Sequence, residues 1–179
     1  TGTLNVTATI QVSCDAPSPS GTLNLPFDPT SALNAQALAS TAVRVTVTCY
    51  GNPTVNYVDF DNGEHFSSVN GETLGLRFMA RSGSGENSAD DFLGYKIFAI
   101  ADTISSPSDI ASTGTEIGTQ TTNNRLTIND QSGSFSVVGK IYEETERSGA
   151  FGDPTQAASS AAVRGGTYND TVIMTVDYN

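Results

Sequence analysis

Residues 3–12 alternate without a break. Leu4, Val6, Ala8, Ile10 and Val12 fall on one face, and Thr3, Asn5, Thr7, Thr9 and Gln11 on the other. Apolar residues at period two over this length predict a strand. A slip of one residue would turn the whole apolar row to solvent, so the pattern also fixes register. The run stops at Cys14, and the second cysteine, Cys49, closes another alternating run through Val43, Val45 and Val47. A strand this regular, placed ahead of the first cysteine, raises the question of what it pairs with.

Two cysteines, with no Cys-x-x-Cys and no Cys/His cluster, read as one disulfide made in an oxidising compartment. Such a bridge contributes roughly 4 kcal/mol in the chain-entropy model. The alternative is a pair of buried free thiols in a cytosolic protein.

Strand and turn signals fill most of the remaining chain. Residues 15–21 read as a loop, and Leu23, Leu25 and Phe27 as a short strand halted by Pro26 and Pro29. The Ala-rich stretch 31–40 predicts a helical turn or two, or a covering loop. Val55 to Phe60, Leu74 to Met79, Phe92 to Ile100, Leu126 with Ile128, Phe135 to Tyr142 and Thr167 to Tyr178 supply further strands. Asn62-Gly63 and Asn70-Gly71 are the strongest hairpin signals, and Arg81 to Ser88 is a Gly/Ser-rich tip. Residues 101–123, rich in Ser, Thr, Gly and Asn, are expected to be exposed loop with at most one weak strand, dispensable for folding. No amphipathic helix competes, and the fold expected is an all-β sandwich with Greek-key links.

Composition narrows the function. The chain has 179 residues, enough for one domain with a real core. Only 15% of them are charged, and Trp is absent, so the buried Trp of antibody-type sandwiches is missing. The formal charge of −11 repels nucleic acid and anionic lipid. No apolar run reaches the length of a membrane span. Thr1 already begins a strand pattern and no signal peptide precedes it, so the chain is read as mature and processed.

Candidate chemistry is thin. His65 is the only histidine; with no Gly-x-Ser-x-Gly elbow it reads as a loop residue rather than a triad member. Asp59, Asp61 and Glu64 around Gly63 form half a calcium loop without the spacing that would complete it. Glu143, Glu144 and Glu146 read as a solvated strand end rather than a glycosidase carboxylate pair. Gly83-Ser84-Gly85 carries no phosphate-loop signature. No metal, cofactor or catalytic residue is expected.

The C-terminal run Gly166-Thr-Tyr168-Asn-Asp170-Thr171-Val-Ile-Met-Thr175-Val176-Asp-Tyr178 resembles the last strand of archaic chaperone–usher pilins of the spore coat protein U-like family. The opening Thr1-Gly2-x-Leu4-x-Val6-x-x-x-Ile10, followed by Cys14, is similar to that family's donor strand. Gly21 to Leu25, Val45 to Cys49, Leu76 to Met79, Leu93-Gly-Tyr95 and Phe135 to Tyr142 follow in the family's order, so the resemblance covers nearly the whole chain. Two departures stand out: Pro26-Phe27-Asp28-Pro29 replaces a Phe-Gly step, and residues 101–133 are longer than usual.

The resemblance implies an immunoglobulin-like sandwich, incomplete in the monomer and completed by a donor strand from a neighbouring subunit. Residues 1–13 would be that donor strand and 14–179 the pilin domain. Leu4, Val6, Ala8, Ile10 and Val12 would enter the next subunit. Gly166, Tyr168, Val172, Met174, Val176 and Tyr178 would form the acceptor groove and terminal strand. The terminal strand is expected to be apolar on both faces, through Val172, Ile173, Met174 and Val176, with no later strand of its own to cover the groove.

The implied partners are identical subunits, with a periplasmic chaperone and an outer-membrane usher during assembly. The implied place is the bacterial surface, within a pilus for adhesion and biofilm formation. A tip adhesin of the same system, a spore coat or matrix protein, and an extracellular carbohydrate-binding sandwich are the alternatives. Mass measurement before and after reduction and alkylation tests the cysteine pairing: an unreduced chain with no alkylated thiol is expected, and two free thiols would refute it.

Overall fold

The strand Val55–Phe60, β5, shows how alternation and packing meet. Strict period two would put Val55, Tyr57 and Asp59 on one face. An irregularity in its pairing with β9 (Arg125–Asp130), between Val55 and Tyr57, shifts the phase, so that Val55, Val58 and Phe60 are the buried residues. A bulge that re-aims side chains inside an antiparallel pair has this effect.

The structure is a computed structural model and describes residues 7–65, 77–85, 91–101, 106–119, 124–131, 133–142, 147–148, 157–158 and 163–179. Two curled sheets form the sandwich. The smaller joins β14 (Met174–Tyr178) to β5 and β9, in the order β14-β5-β9. The larger contains β2 (Ser18–Pro19), β3 (Val43–Thr46), β6 (Arg77–Arg81), β7 (Phe92–Ile100), β10 (Phe135–Ile141) and β13 (Tyr168–Asn169). Their order is β13-β6-β7-β10-β3-β2. The short β8 (Thr115–Ile117) shares an edge of β7 with β6, end to end. Two-residue ladders add β1 (Ser13–Cys14) on β4 (Cys49–Tyr50), and β11 (Arg147–Ser148) on β12 (Ala157–Ala158).

The core lies between the sheets, where Val45, Ile97, Phe135 and Val137 of the larger meet Val55, Val58, Phe60 and Leu126 of the smaller. The rings of Phe60 and Phe135 join them edge to face at 5.8 Å, the geometry the aromatic quadrupole favours. Cys14 and Cys49 are bonded, closing a separation of 35 residues. No helix among the described residues is long and apolar enough to cross a membrane.

Four expectations need correction. First, residues 7–12 form no strand among the described residues and lie exposed, Ile10 at 80%; Leu4 and Val6 fall outside the described residues. An alternating segment without a ladder partner has nothing to hold it extended.

Second, Leu23, Leu25 and Phe27 alternate half-buried with exposed neighbours, yet they also make no strand. The Ala-rich stretch that follows has a single 3-10 turn, Leu33–Ala35, and covers the core with Leu33, Gln36 and Ala39.

Third, the expected exposed loop at 101–123 contains packed structure. Helix α1 (Pro107–Thr113) and β8 drive Ile110 and Ile117 to near-complete burial. Ile110 packs against Ala39 and Val138. Pro107 at the helix start and Asp109 in the first turn favour this short helix.

Fourth, the terminal strand is divided: β13 joins the larger sheet and β14 the smaller, and Ile173 is 63% exposed rather than buried. After Asn62-Gly63 the chain turns at Glu64 and His65, with Gly63 at φ 83°, and among the described residues β5 pairs with β9 and β14. Residues 66–76, where a hairpin partner would begin, lie outside the described residues. Asn70-Gly71 and Glu143 to Glu146 lie outside the described residues.

Because Ile110 is completely buried, Ile110→Ala is expected to lower unfolding stability by about 2–5 kcal/mol, measured by urea denaturation. An effect within that of a surface substitution would show that α1 is a covering loop after all.

Candidate functional site

An apolar groove of about 750 Å³ opens on the sandwich. One wall is the segment 19–27 and the other is 166–174; between them the floor is built from β3, β5, β6, β7 and β10. The first wall lies flat because β10 carries Gly139 beneath it. A Cβ there would stand 2.8 Å from the Lys96 carbonyl oxygen and 3.2 Å from methyls of Leu23 and Leu25. Past the β2–β3 ladder at Ser18 and Pro19 and the bond from the Ser20 amide to the Arg44 carbonyl, no backbone ladder among the described residues holds residues 21–27 to β3. The second wall continues into β14, whose only strand partner is β5, leaving its other edge unpaired among the described residues.

Two lining residues of this groove, Tyr95 and Asp170, form a polar node. The Tyr95 hydroxyl donates to Asp170 Oδ2 at 2.5 Å, while the Glu64 amide donates to Asp170 Oδ1 at 2.8 Å. Gly63 leaves the room: a Cβ at that position would collide with Asp170 Oδ2. Asp61 has the matching role across the turn, its Oδ1 accepting from the amides of Gly63 at 3.0 Å and Ile173 at 2.9 Å. Arg77, 1% exposed, donates Nε and Nη2 to the Asp61 carbonyl at 2.9 and 2.8 Å. Its Nη1 donates to the Ile117 carbonyl at 2.6 Å. This guanidinium on the larger sheet thus reaches the turn after β5 and the end of β8.

Electrostatics follow from the burial. Desolvation pushes the Asp170 carboxyl above its usual range, against the opposing hydrogen bonds from Tyr95 and the amides of Glu64 and Thr171. Burial first, and then the neighbouring Asp170 charge, raises the Tyr95 phenol. Burial also lowers Arg77, while Tyr95, Asp61 and Asp170 oppose that shift. A guanidinium stays charged through such a shift, so Arg77 bonds the Asp61 and Ile117 carbonyls as a cation.

A second charged cluster borders the Gly83–Gly85 tip. Asp91, 1% exposed, pairs with Arg81 at 2.8 Å and Arg164 at 3.5 Å. His65 stacks edge-on to Phe92 at 6.1 Å. Asp59, suggested as half of a calcium loop, meets Arg125 at 3.1 Å. Among the described residues no group of three or more His, Cys, Asp or Glu could hold a metal ion.

Of the residues singled out from sequence, Gly166, Tyr168, Val172 and Met174 line the groove. Val176 packs against the main core from beyond it, and Tyr178 is exposed at 37%. The Tyr168 hydroxyl donates to the Arg164 carbonyl at 2.7 Å. Ala8, Ile10 and Val12 lie in the exposed segment rather than in any groove of their own subunit. Sequence reasoning missed Tyr95 and Arg77 as site residues. Their signal was a polar head inside an apolar run, Leu76-Arg77-Phe78-Met79 and Leu93-Gly94-Tyr95-Lys96-Ile97.

The two sheets and their shared core define an all-β sandwich of immunoglobulin-like type. The family model of the Spore Coat Protein U domain matches residues 1–175, and the chain belongs to that family. The family is a structural one associated with pilus or fimbrial and spore coat proteins, and it implies a surface or pilus-associated protein. No curated protein matches the chain.

Tyr95→Phe removes a hydroxyl that donates to a half-buried carboxylate, and a loss of about 1–2 kcal/mol is expected. The Asp170 carboxyl is raised above the ordinary carboxylate range, so the folded state holds this proton more tightly than the unfolded chain. Its contribution to stability therefore increases as pH falls from neutral through the folded pKa, and levels off below the unfolded value. Asp170→Asn should remove that component, so the difference in urea midpoint between variant and parent should change with pH in this window. A constant difference would show that the carboxyl does not titrate there.

Proposed function

We propose that this protein is the repeating rod subunit of an extracellular chaperone–usher pilus, polymerising by donor-strand exchange, and that its role is structural rather than catalytic. In this reading residues 1–13 are the donor segment and 14–179 the acceptor domain. The observation that carries it is the pairing of an open apolar groove with an exposed apolar arm: about 750 Å³ of space between segments 19–27 and 166–174, and Ile10 standing 80% exposed.

Burial of Leu4, Val6, Ile10 and Val12 in a neighbour's groove would contribute roughly 6–12 kcal/mol, at ~1.5–3 kcal/mol per side chain. The unpaired edge of β14 offers backbone hydrogen bonds to the same strand, as in other β-augmentation. The disulfide roots the arm in the domain at Cys14, which leaves the residues ahead of it free to reach outward. Tyr95 is engaged with Asp170, Asp170 also with the Glu64 amide, and Arg77 with the Asp61 and Ile117 carbonyls, which supports a structural node over an active site. Export through the periplasm with a chaperone and usher, and service in adhesion and biofilm formation, follow from the family resemblance.

The family's description favours one second reading, a spore coat or matrix protein using the same arm and groove. Negative-stain imaging of native material separates the two: thin filaments for a pilus, sheets or discrete particles for a coat. Within the first reading, Ile10→Asp places a charge in the neighbour's core and is expected to abolish filaments. Asn5→Asp, on the opposite face of the arm, should leave them largely intact. Normal filaments from Ile10→Asp subunits would rule out donor-strand exchange.

A further inference from the structure

We propose that the Tyr50–Gly51 turn at the root of the arm is a docking surface, occupied by the groove rim of a second copy at the end marked by Phe27 and Tyr168. The inference rests on the donor-strand reading above and adds to it the part of the fold against which the neighbouring subunit comes to rest.

Strand pairing gives the groove two distinct ends. Pro19 pairs with Val45 and Val45 with Phe135, so the first wall starts at the head of β10. It passes along β10, with Leu23 and Leu25 over Gly139, and reaches Phe27, which packs against Leu33, Leu93 and Ile141. The second wall runs the opposite way, from Tyr168, packed on that same cluster, to Met174, paired with Phe60. Pro19, Val45 and Met174 therefore mark the near end, and Phe27 and Tyr168 the far end.

The root of the arm lies past the near end. Back from Pro19, Ser18 pairs with Thr46, the Asp15 amide donates to the Thr48 carbonyl, Cys14 pairs with Cys49 and Ser13 with Tyr50. These contacts step away from the groove, and none of residues 11–18 or 46–51 lines it. Gln11 and Val12 come next, lying on Gly51. A Cβ there would stand 2.9 Å from the Gln11 carbonyl oxygen and 3.2 Å from the Val12 Cα. Gly51 has φ 79°, a conformation open to glycine, so the turn bends sharply and still leaves room for the arm.

This seat aims the arm away from its own groove. From Val12 back to Pro19 is about 23 Å of extended chain, against about 26 Å for the whole row from Leu4 to Val12. A return over that distance would use up most of the row before the groove began, so the occupant is a second copy. An arm entering a neighbour at the near end would run into that neighbour's own projecting root. Entry at the far end sets subunits head to tail, an arrangement that repeats without closing.

Contact at the root is then forced by distance. Once Ile10 or Val12 is buried in the acceptor, the acceptor's rim stands within about two residues of Gly51. The neighbouring side chain with surface to offer is Tyr50. It is 56% exposed, and its hydroxyl donates to Asp15 Oδ2 across a long 3.4 Å. A tyrosine so placed can bury its ring and keep its hydroxyl wet, as interface tyrosines do. Phe27 and Tyr168, both half-buried, supply the apolar rim it meets.

Hydroxyl-radical footprinting tests this on the unaltered chain. Assembled filaments are compared with single subunits whose grooves are filled by excess synthetic peptide of residues 1–12, which supplies the arm without its root. Oxidation of Tyr50 is expected to be roughly fivefold slower in filaments, as a ring 56% exposed enters an interface core. Oxidation of Tyr168 should fall as well, although the groove is filled in both states. Equal oxidation of Tyr50 in the two states would overturn the docking surface. Protection of Tyr50 with Tyr168 unchanged would overturn the far-end assignment.

A variant supplies the second measurement. Tyr50→Ala is expected to speed dissociation of filaments in urea roughly tenfold, the scale of a lost interface tyrosine, with the unfolding midpoint of the peptide-filled subunit unchanged. Parent-like dissociation, or an equally large loss in the single subunit, would show that Tyr50 makes no joint. Failure of donor-strand exchange itself shows separately, as normal filaments from Ile10→Asp.

Discussion

Two aspartate side chains carry the chain's last segment from one sheet to the other. Asp170 follows β13 and is gripped by the Tyr95 hydroxyl and the Glu64 amide, while Asp61 reaches across to the Ile173 amide just ahead of β14. The Asp61 carboxylate gives the Ile173 amide its partner, and the Tyr95 and Glu64 bonds pin the Asp170 side chain at the crossing. The crossing is braced from beneath by Arg77, whose guanidinium bonds the Asp61 carbonyl and so ties the larger sheet to the same turn. The second wall of the groove is the product of this crossing, because a strand that stayed in one sheet would not stand beside an open floor.

The other wall is held by different means. Asp28 folds the chain back at the end of segment 19–27, accepting from the amide and hydroxyl of Thr30 and from the hydroxyl of Ser31. These bonds hold its carboxyl below the usual carboxylate range. The buried Gln36 side chain then clasps both the amide and the carbonyl of Asp28. The groove therefore lies between two walls fixed mainly at their ends and turns, over a floor of rigid strands. Such a form suits a surface that must stay open and still accept a strand: hydrogen-bonding capacity along the walls stays in reserve while the geometry is set.

Much of this was legible in the sequence, for identifiable reasons. Val43, Val45 and Val47, Phe92 to Ile100 and Phe135 to Ile141 declare themselves because a strand's period is local and each residue shows its own side. The cysteine pair was legible because an even count in a Thr/Ser-rich β chain has few other uses. Helix α1 was not, since its seven residues hang on a single apolar anchor, Ile110, too little for any periodicity to register. The division of Thr167 to Tyr178 between sheets was hidden because it depends on partners at Glu64, Asp61 and Tyr95, distant in sequence from Asp170 and Ile173.

The position of the disulfide also has a mechanical meaning. A pull on the N-terminal arm enters the folded domain at Ser13 and Cys14, where the backbone is held by a ladder of two residues on β4. Hydrogen bonds loaded one after another in so short a ladder would peel open under little force. The bond from Cys14 to Cys49 bypasses them, passing the load covalently into the strand pair that borders the core. Strain applied along the arm is thus delivered beside β3, and the segment between the two cysteines, including the groove wall 19–27, is shielded from the tension and keeps its shape while the arm is stretched.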